Sequence, residues 1–261
     1  SDDDEALASL EGKTAAAWGG AYGGGMLVGG WLLSRTAGGA WSGAIGAYRV
    51  SAGLAVVAFA FALGAGESLS KAARVPFSLR GTNPLTFTRL FRSGRTLGVL
   101  ATILVLQTLH DGEGDVWQIY GADVHGWGTR GLSLYGAAVG IASTIGGLLT
   151  GRSVRWLGNR RHTLLWTFST ALSCLLFMVP SPYSSLAIAS VVFTAAEDCM
   201  SASVIARLIQ VGAAAGLTKG SLAGAVHNLS AFVRIVALYI FGRLYVGGQR
   251  VGMPSLPYSL C

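Results

Sequence analysis

The chain has 261 residues, of which 52% are hydrophobic and only 12% charged, with a mean hydropathy of +0.54 and a formal net charge of +7. A soluble domain carries roughly a quarter of its residues as charges, so this composition excludes an ordinary soluble domain and points to a membrane. The basic residues sit at the ends of apolar runs rather than on one polar face, which excludes nucleic acid as the reason for the charge.

The chain begins at Ser1 rather than Met, as a processed or partial product would. Residues 1–15 form an acidic polar segment, expected as a solvated tail or an interface helix. A membrane span needs roughly 20 apolar residues. Seven candidates follow, about Ala16–Leu33, Ile45–Gly64, Leu97–Gly121, Gly131–Gly151, Thr163–Pro180, Ser184–Leu208 and Gly220–Tyr245. They predict an all-α polytopic transmembrane helix bundle. Two helices occupy 16–64, and a five-helix bundle occupies 97–245. A C-terminal tail covers 246–261. Between the two groups, residues 65–96 form a basic central loop. There Leu85, Phe87, Leu90 and Phe91 alternate with Arg89, Arg92 and Arg95, the pattern of a short interfacial helix. The 38 glycines lie mostly inside the apolar runs, where small residues let helices approach closely.

Orientation follows from the basic residues. Lys71, Arg74, Arg80, Arg89, Arg92, Arg95, Arg152, Arg155, Arg160, Arg161, Arg207 and Lys219 collect on one side, against Arg35, Arg130 and Arg250 on the other. The first side therefore faces the cytoplasm or its organellar equivalent. An odd number of spans puts the termini on opposite sides. The membrane is not specified, and a plasma membrane or an organelle, including a plastid, fits equally.

Several stretches, in order, are similar to one family. Leu106–Trp127 (LQTLHDGEGDVWQIYGADVHGW) with GLSLYGAAVG resembles the seventh and eighth helices of the major facilitator superfamily, in its tetracycline/H⁺ antiporter-like branch. GRSVRWLGNRR resembles the basic loop between the eighth and ninth helices. AYGGGMLVGGWLL resembles the fifth helix. ALGAGESL followed by NPL resembles the end of the sixth helix and the central loop. GLTKGSLAGAVHNLSAFVRIVALYIFGRLY resembles the eleventh helix with its arginine. The resemblance implies a truncated major facilitator fold without its first four helices or a convincing twelfth. It also implies a proton-coupled secondary transporter of small organic compounds. Gly29-Gly30 stands where the antiporter signature has Gly-Pro, Leu33-Ser34 where it has a later Gly-Gly, and Ala237-Leu238 where the eleventh helix has Gly-Pro. Thr170 or a near neighbour replaces the ninth-helix aspartate of tetracycline antiporters, which argues against tetracycline-type coupling.

The residues themselves mark three places. His110, Asp111, Glu113 and Asp115 interrupt the third apolar run, and charged groups inside a span tend to mark pathways or proton sites. They line either a broken helix suited to proton or cation coupling or a wet vestibule. Gly112 and Gly114 weaken the helix between them. An EF-hand is excluded, because Val116 occupies the glycine position and Ala122 the bidentate glutamate position. Glu197 and Asp198 fall at the depth of Arg234 in the next span, so Arg234 is expected to pair with one of them, as a structural or a coupling pair. Arg152, Arg155, Arg160 and Arg161 suit an acidic lipid headgroup, and the resemblance makes them part of a cytoplasmic gate.

His227 is a weak candidate for a pigment ligand. His162, beside Arg160-Arg161, is expected to be solvated, and His125 to sit in an outer loop. Trp41, Trp117, Trp127, Tyr120 and Tyr183 read as an interfacial aromatic belt. Cys174 and Cys199 read as small core residues, and no metal-ligand spacing is present. There is no nucleophile triad, P-loop, CxxC or HExxH, so no enzymatic chemistry and no cofactor is expected. The implied partners are the lipid bilayer, further transmembrane helices or subunits, and a small organic substrate with protons. The alternative to transport is a non-transporting structural subunit of a larger membrane complex, such as an organellar or photosynthetic assembly, and only there would a pigment be bound.

Overall fold

A computed structural model describes residues 2–35, 40–64, 83–179 and 184–260, with the side chains of 2–5, 35, 40–44, 115, 184, 197, 198 and 260 left out. The protein is an all-α bundle, and no strand occurs among the described residues. Its helices are α1 (Asp2–Arg35), α2 (Ala40–Gly64), α3 (Thr88–Arg92), α4 (Arg95–His110), α5 (Trp117–Asp123), α6 (Thr129–Phe177), α7 (Ser184–Ala214) and α8 (Lys219–Arg250). Short 3₁₀ turns cover Pro84–Phe87, Asp111–Asp115 and Leu256–Leu260. Each predicted apolar segment is helical over most of its described residues, the third being interrupted at Asp111–Val116. The central loop up to residue 82 lies outside them.

Four helices are long and apolar enough to cross a membrane: 45–64, Thr129–Phe177, Ser185–Ala214 and Lys219–Arg250. The first and third predicted segments fall short for physical reasons. In α1 the glycines dilute the hydropathy. In the third, α4 has 16 residues, and at 1.5 Å per residue it reaches only about 24 Å before the chain breaks.

α6 contains two helical arms. Gly158 adopts φ 70° and ψ 155°, a conformation that breaks the helix and that only glycine adopts without strain. The chain reverses there. His162 Nδ1 lies 2.9 Å from Ser153 Oγ near the turn, and the Phe177 and Tyr135 rings lie 5.3 Å apart at the other end. His162 is fully buried rather than solvated. Its Nε2–H donates to the Cys199 carbonyl at 3.2 Å, and its Nδ1 accepts from Trp166 Nε1–H at 2.8 Å. Satisfying both ring nitrogens is what permits burial next to two arginines.

The seam between α1 and the first arm of α6 is built from absent side chains. On α1 the contact positions are Ser9, Gly12, Ala16, Gly19, Gly23, Met26 and Gly30, a heptad spacing. They meet Gly151, Thr150, Gly147, Ser143, Gly140, Gly136 and Ser133 running the opposite way. A Cβ added at Gly19 would lie 2.8 Å from Ser143 Cβ, and one at Gly147 2.6 Å from the Ala16 nitrogen. The backbones touch, so any larger residue must push the helices apart. Thr144 Oγ1 donates across the seam to the Ala16 carbonyl at 3.3 Å. The second face of the same arm packs on α7, where Gly146 abuts the Ala195 carbonyl.

Two apolar cores hold the remaining helices. Leu90, Leu97, Leu100 and Leu104 pack against Val204 and Leu208 of α7 and Leu222, Val226 and Leu229 of α8, at the basic end of the bundle. Leu90 is 1% exposed while its neighbours Arg89 and Arg92 face outward, so α3 carries the amphipathic pattern of the sequence. At the far end Val116, Tyr120, Phe177, Phe241, Tyr245 and Tyr258 form the second core. Among the described residues the helix at 45–64 contributes to neither and packs chiefly on α1. Outward faces carry large apolar side chains such as Leu148, Phe168, Val192 and Ile235.

The seam makes a direct prediction. Gly140→Leu should destabilise the detergent-purified protein by about 1–3 kcal/mol, the usual cost of overpacking. Gly24→Leu, where a side chain meets open space, should leave the thermal midpoint nearly unchanged. Equal midpoints for the two variants would contradict the seam.

Candidate functional site

The third apolar run breaks where the sequence places its charges. α4 ends at His110, a 3₁₀ turn covers Asp111–Asp115, and α5 resumes at Trp117. Gly112 makes the break possible at this place. It is buried against α8, and a Cβ there would meet Ala237 Cβ at 2.6 Å and Phe241 at 3.1 Å. The tightened turn directs Glu113 toward the second arm of α6. There the Cys174 thiol donates to Glu113 Oε2 at 3.4 Å and lies 3.9 Å from His110 Nε2. Gln107, one turn earlier, is 6% exposed, and neither amide atom has a hydrogen-bond partner among the described residues.

Beside this turn lies a cavity of about 450 Å³. Its walls come from six parts of the chain. α1 gives Trp18, Gly19 and Tyr22, and the broken helix gives Asp111, Glu113, Gly114, Trp117 and Gln118. The two arms of α6 give Tyr135, Val139 and Ser143, then Ser173, Cys174 and Phe177. Thr194 of α7 and Arg234 of α8 complete it. The volume lies within the range of small-molecule pockets, roughly 300–1,000 Å³.

Of the residues singled out in the sequence, Asp111, Glu113 and Arg234 thus face one space, and His110 adjoins it. The side chains of Asp115, Glu197 and Asp198 lie outside the described residues, and so does the expected pairing with Arg234. His227 is exposed on α8 and acts electrostatically on Glu11 of α1. Burial raises the Glu11 carboxyl above its usual range and the nearby imidazole opposes this. Arg152, Arg155, Arg160 and Arg161 flank the Gly158 reversal at the basic end, and Arg152 lies 5.4 Å over the exposed Trp156 ring.

The aromatic residues depart from the sequence reading. Trp117 lines the cavity, and Trp127 and Tyr120 belong to a packed cluster instead of an interfacial belt. Tyr120 is fully buried, its hydroxyl donating to the Met178 carbonyl at 2.7 Å. Trp127 stands 5.0 Å from Tyr135 and 4.9 Å from His125. The reason is the long-range contact of α5 with the end of α6 and with Tyr258, which no local pattern encodes. Trp41's side chain and Tyr183 lie outside the described residues. Reasoning from the sequence also passed over Cys174, Tyr22, Tyr135 and Tyr258 as site residues. No local signal marks Cys174, because its place beside Glu113 depends on a contact 61 positions away.

No family model, curated protein or solved structure matches this chain.

The cluster at the far end includes one titratable switch. His125 is 8% exposed; its Nε2–H donates to the Phe177 carbonyl at 3.1 Å, and its Nδ1 is buried without a partner among the described residues. Burial lowers its pKa, and the carbonyl bond only partly offsets that. A lowered histidine pKa means that the fold prefers the neutral ring. The stabilisation is complete above the unfolded value of about 6.5 and declines as the pH falls from there toward the folded value. The thermal midpoint should therefore fall between pH 7.5 and pH 5. His125→Phe should show a smaller fall across the same interval; an identical fall would remove His125 from the account.

Proposed function

We propose that the chain is a multi-pass membrane protein of the major facilitator type, and that it moves a small organic compound by proton-coupled secondary transport. The supporting observation is the cavity, in which Asp111, Glu113 and Arg234 meet between α1 and the other helices. α1 resembles a first-half helix of that family and its opposing walls resemble second-half helices. Substrate sites between two repeats are the general plan of such transporters. Carboxylates in a low-dielectric wall exchange protons at a pH set by burial and by nearby charge. Two carboxylates against one arginine, with the side chains of Trp18, Tyr22 and Trp117 beside them, favour a compound with a cationic group.

The test is uptake into proteoliposomes. A fluorescent organic cation such as ethidium should accumulate under an imposed pH gradient and not without one. Glu113→Gln and Asp111→Asn should reduce that accumulation to the level of protein-free vesicles while leaving the thermal midpoint within a few degrees. Gradient-independent accumulation, or none by the unsubstituted protein across a panel of organic cations, would count against transport.

A second reading, the non-transporting subunit of a larger membrane complex, is favoured by one observation. The apolar helix at 45–64 has none of its length buried, and partner subunits would cover it as well as lipid does. Comigration with a large complex at fixed stoichiometry in native electrophoresis would support that reading.

A further inference from the structure

The His110, Glu113 and Cys174 cluster has a chemistry of its own. One nitrogen, one carboxylate oxygen and one sulfur all lie within 4.8 Å of one another. Around a tetrahedral zinc ion, with bonds of about 2.3 Å to sulfur and 2.0–2.2 Å to nitrogen and oxygen, such atoms stand roughly 3.3–3.6 Å apart. The sulfur–oxygen distance of 3.4 Å and the sulfur–nitrogen distance of 3.9 Å are close to that spacing before any ion draws them in. The two helical elements that supply them are held independently. Gly112 pins the turn against α8, and Cys174 sits in an arm of α6 at 3% exposure.

A second observation points to a ligand. Tyr258 is 2% exposed, and its hydroxyl has no hydrogen-bond partner among the described residues. Its ring packs 5.2 Å from that of Phe177, which lines the cavity together with Cys174. A buried hydroxyl without a partner costs about 1–3 kcal/mol unless something else meets it.

We propose that His110, Glu113 and Cys174 are three ligands of a site for a thiophilic divalent cation of the zinc class. The fourth position opens toward the cavity that Glu113 and Cys174 line. The donor set decides the class. A thiolate and an imidazole disfavour calcium and magnesium, and three mixed donors with an open position suit zinc or cobalt. On binding, a metal–sulfur bond forms and the thiol gives up its proton to solvent, so affinity rises with pH. The site shares Glu113 and the cavity with the transport reading, but its test reads metal occupancy rather than uptake, so either can fail without the other.

The experiment uses the full chain in detergent, stripped with chelator and titrated with Co²⁺. One equivalent should bind and produce a sulfur-to-cobalt charge-transfer band in the near ultraviolet, which Zn²⁺ then abolishes. Cys174→Ser should lose the band, whereas Cys199→Ser, which removes a thiol that donates from α7 to the Gly146 carbonyl of α6, should keep it. His110→Gln and Glu113→Gln should each weaken binding by about tenfold or more, at least the loss that even supporting residues cause. A band that persists in Cys174→Ser, or no stoichiometric binding by the unsubstituted chain, overturns the site. X-ray absorption of the zinc-loaded, unsubstituted chain needs no variant to fold. One sulfur at about 2.3 Å supports the proposal, and a shell of only oxygen and nitrogen refutes it.

Discussion

Backbone-to-backbone contact between α1 and the first arm of α6 is the constraint on which the rest depends. Helices in an apolar solvent gain little from burying leucine, because the solvent is as apolar as the side chain. They gain from close approach, where dispersion and weak contacts between backbones add up. The glycine heptad of α1 and its counterpart on α6 supply that approach over most of the length of α1. Trp18 and Tyr22 stand beside that seam, flanking Gly19, and form one wall of the cavity. The same seam that excludes side chains at one face thus determines where a space can exist beside it.

The broken helix is the second determinant, and it follows from competition between local and tertiary preference. Two glycines and three carboxylates over Asp111–Asp115 make a poor α-helix. The backbone tightens to 3₁₀ geometry there, and α8 receives Gly112 in a spot that no side chain could enter. Far-end packing then fixes α5. Asp123 accepts hydrogen bonds from the Tyr245 hydroxyl at 2.6 Å and from Gln249 Nε2 at 3.0 Å. The charged turn is thereby anchored on both sides, with its acidic residues presented to a fixed arm of α6.

Much of this was legible in the residues. Helical segments follow from the length of the apolar runs, and the break at His110 from glycines among charges. Close packing by glycine follows from their place inside those runs, though not which helices they join. What could not be read was anything that depends on partners distant in the chain. Cys174 looks like any small core residue until α6 brings it to Glu113, 61 positions earlier. Trp117 and Trp127 have the spacing of interfacial anchors until Tyr135 and Phe177 enclose them. His162 looks hydrated beside two arginines until Ser153, Trp166 and Cys199 complete its bonds.

The reversal at Gly158 gives the bundle a connection of no length. Two helices joined by a single residue offer no loop to stretch, to cleave or to absorb an insertion. The distance from Tyr135 on one arm to Cys174 on the other is therefore set by packing alone, and it is carried unchanged wherever the pair goes. If α1 parts from this hairpin along its smooth seam, one wall of the cavity leaves while the opposite wall keeps its shape.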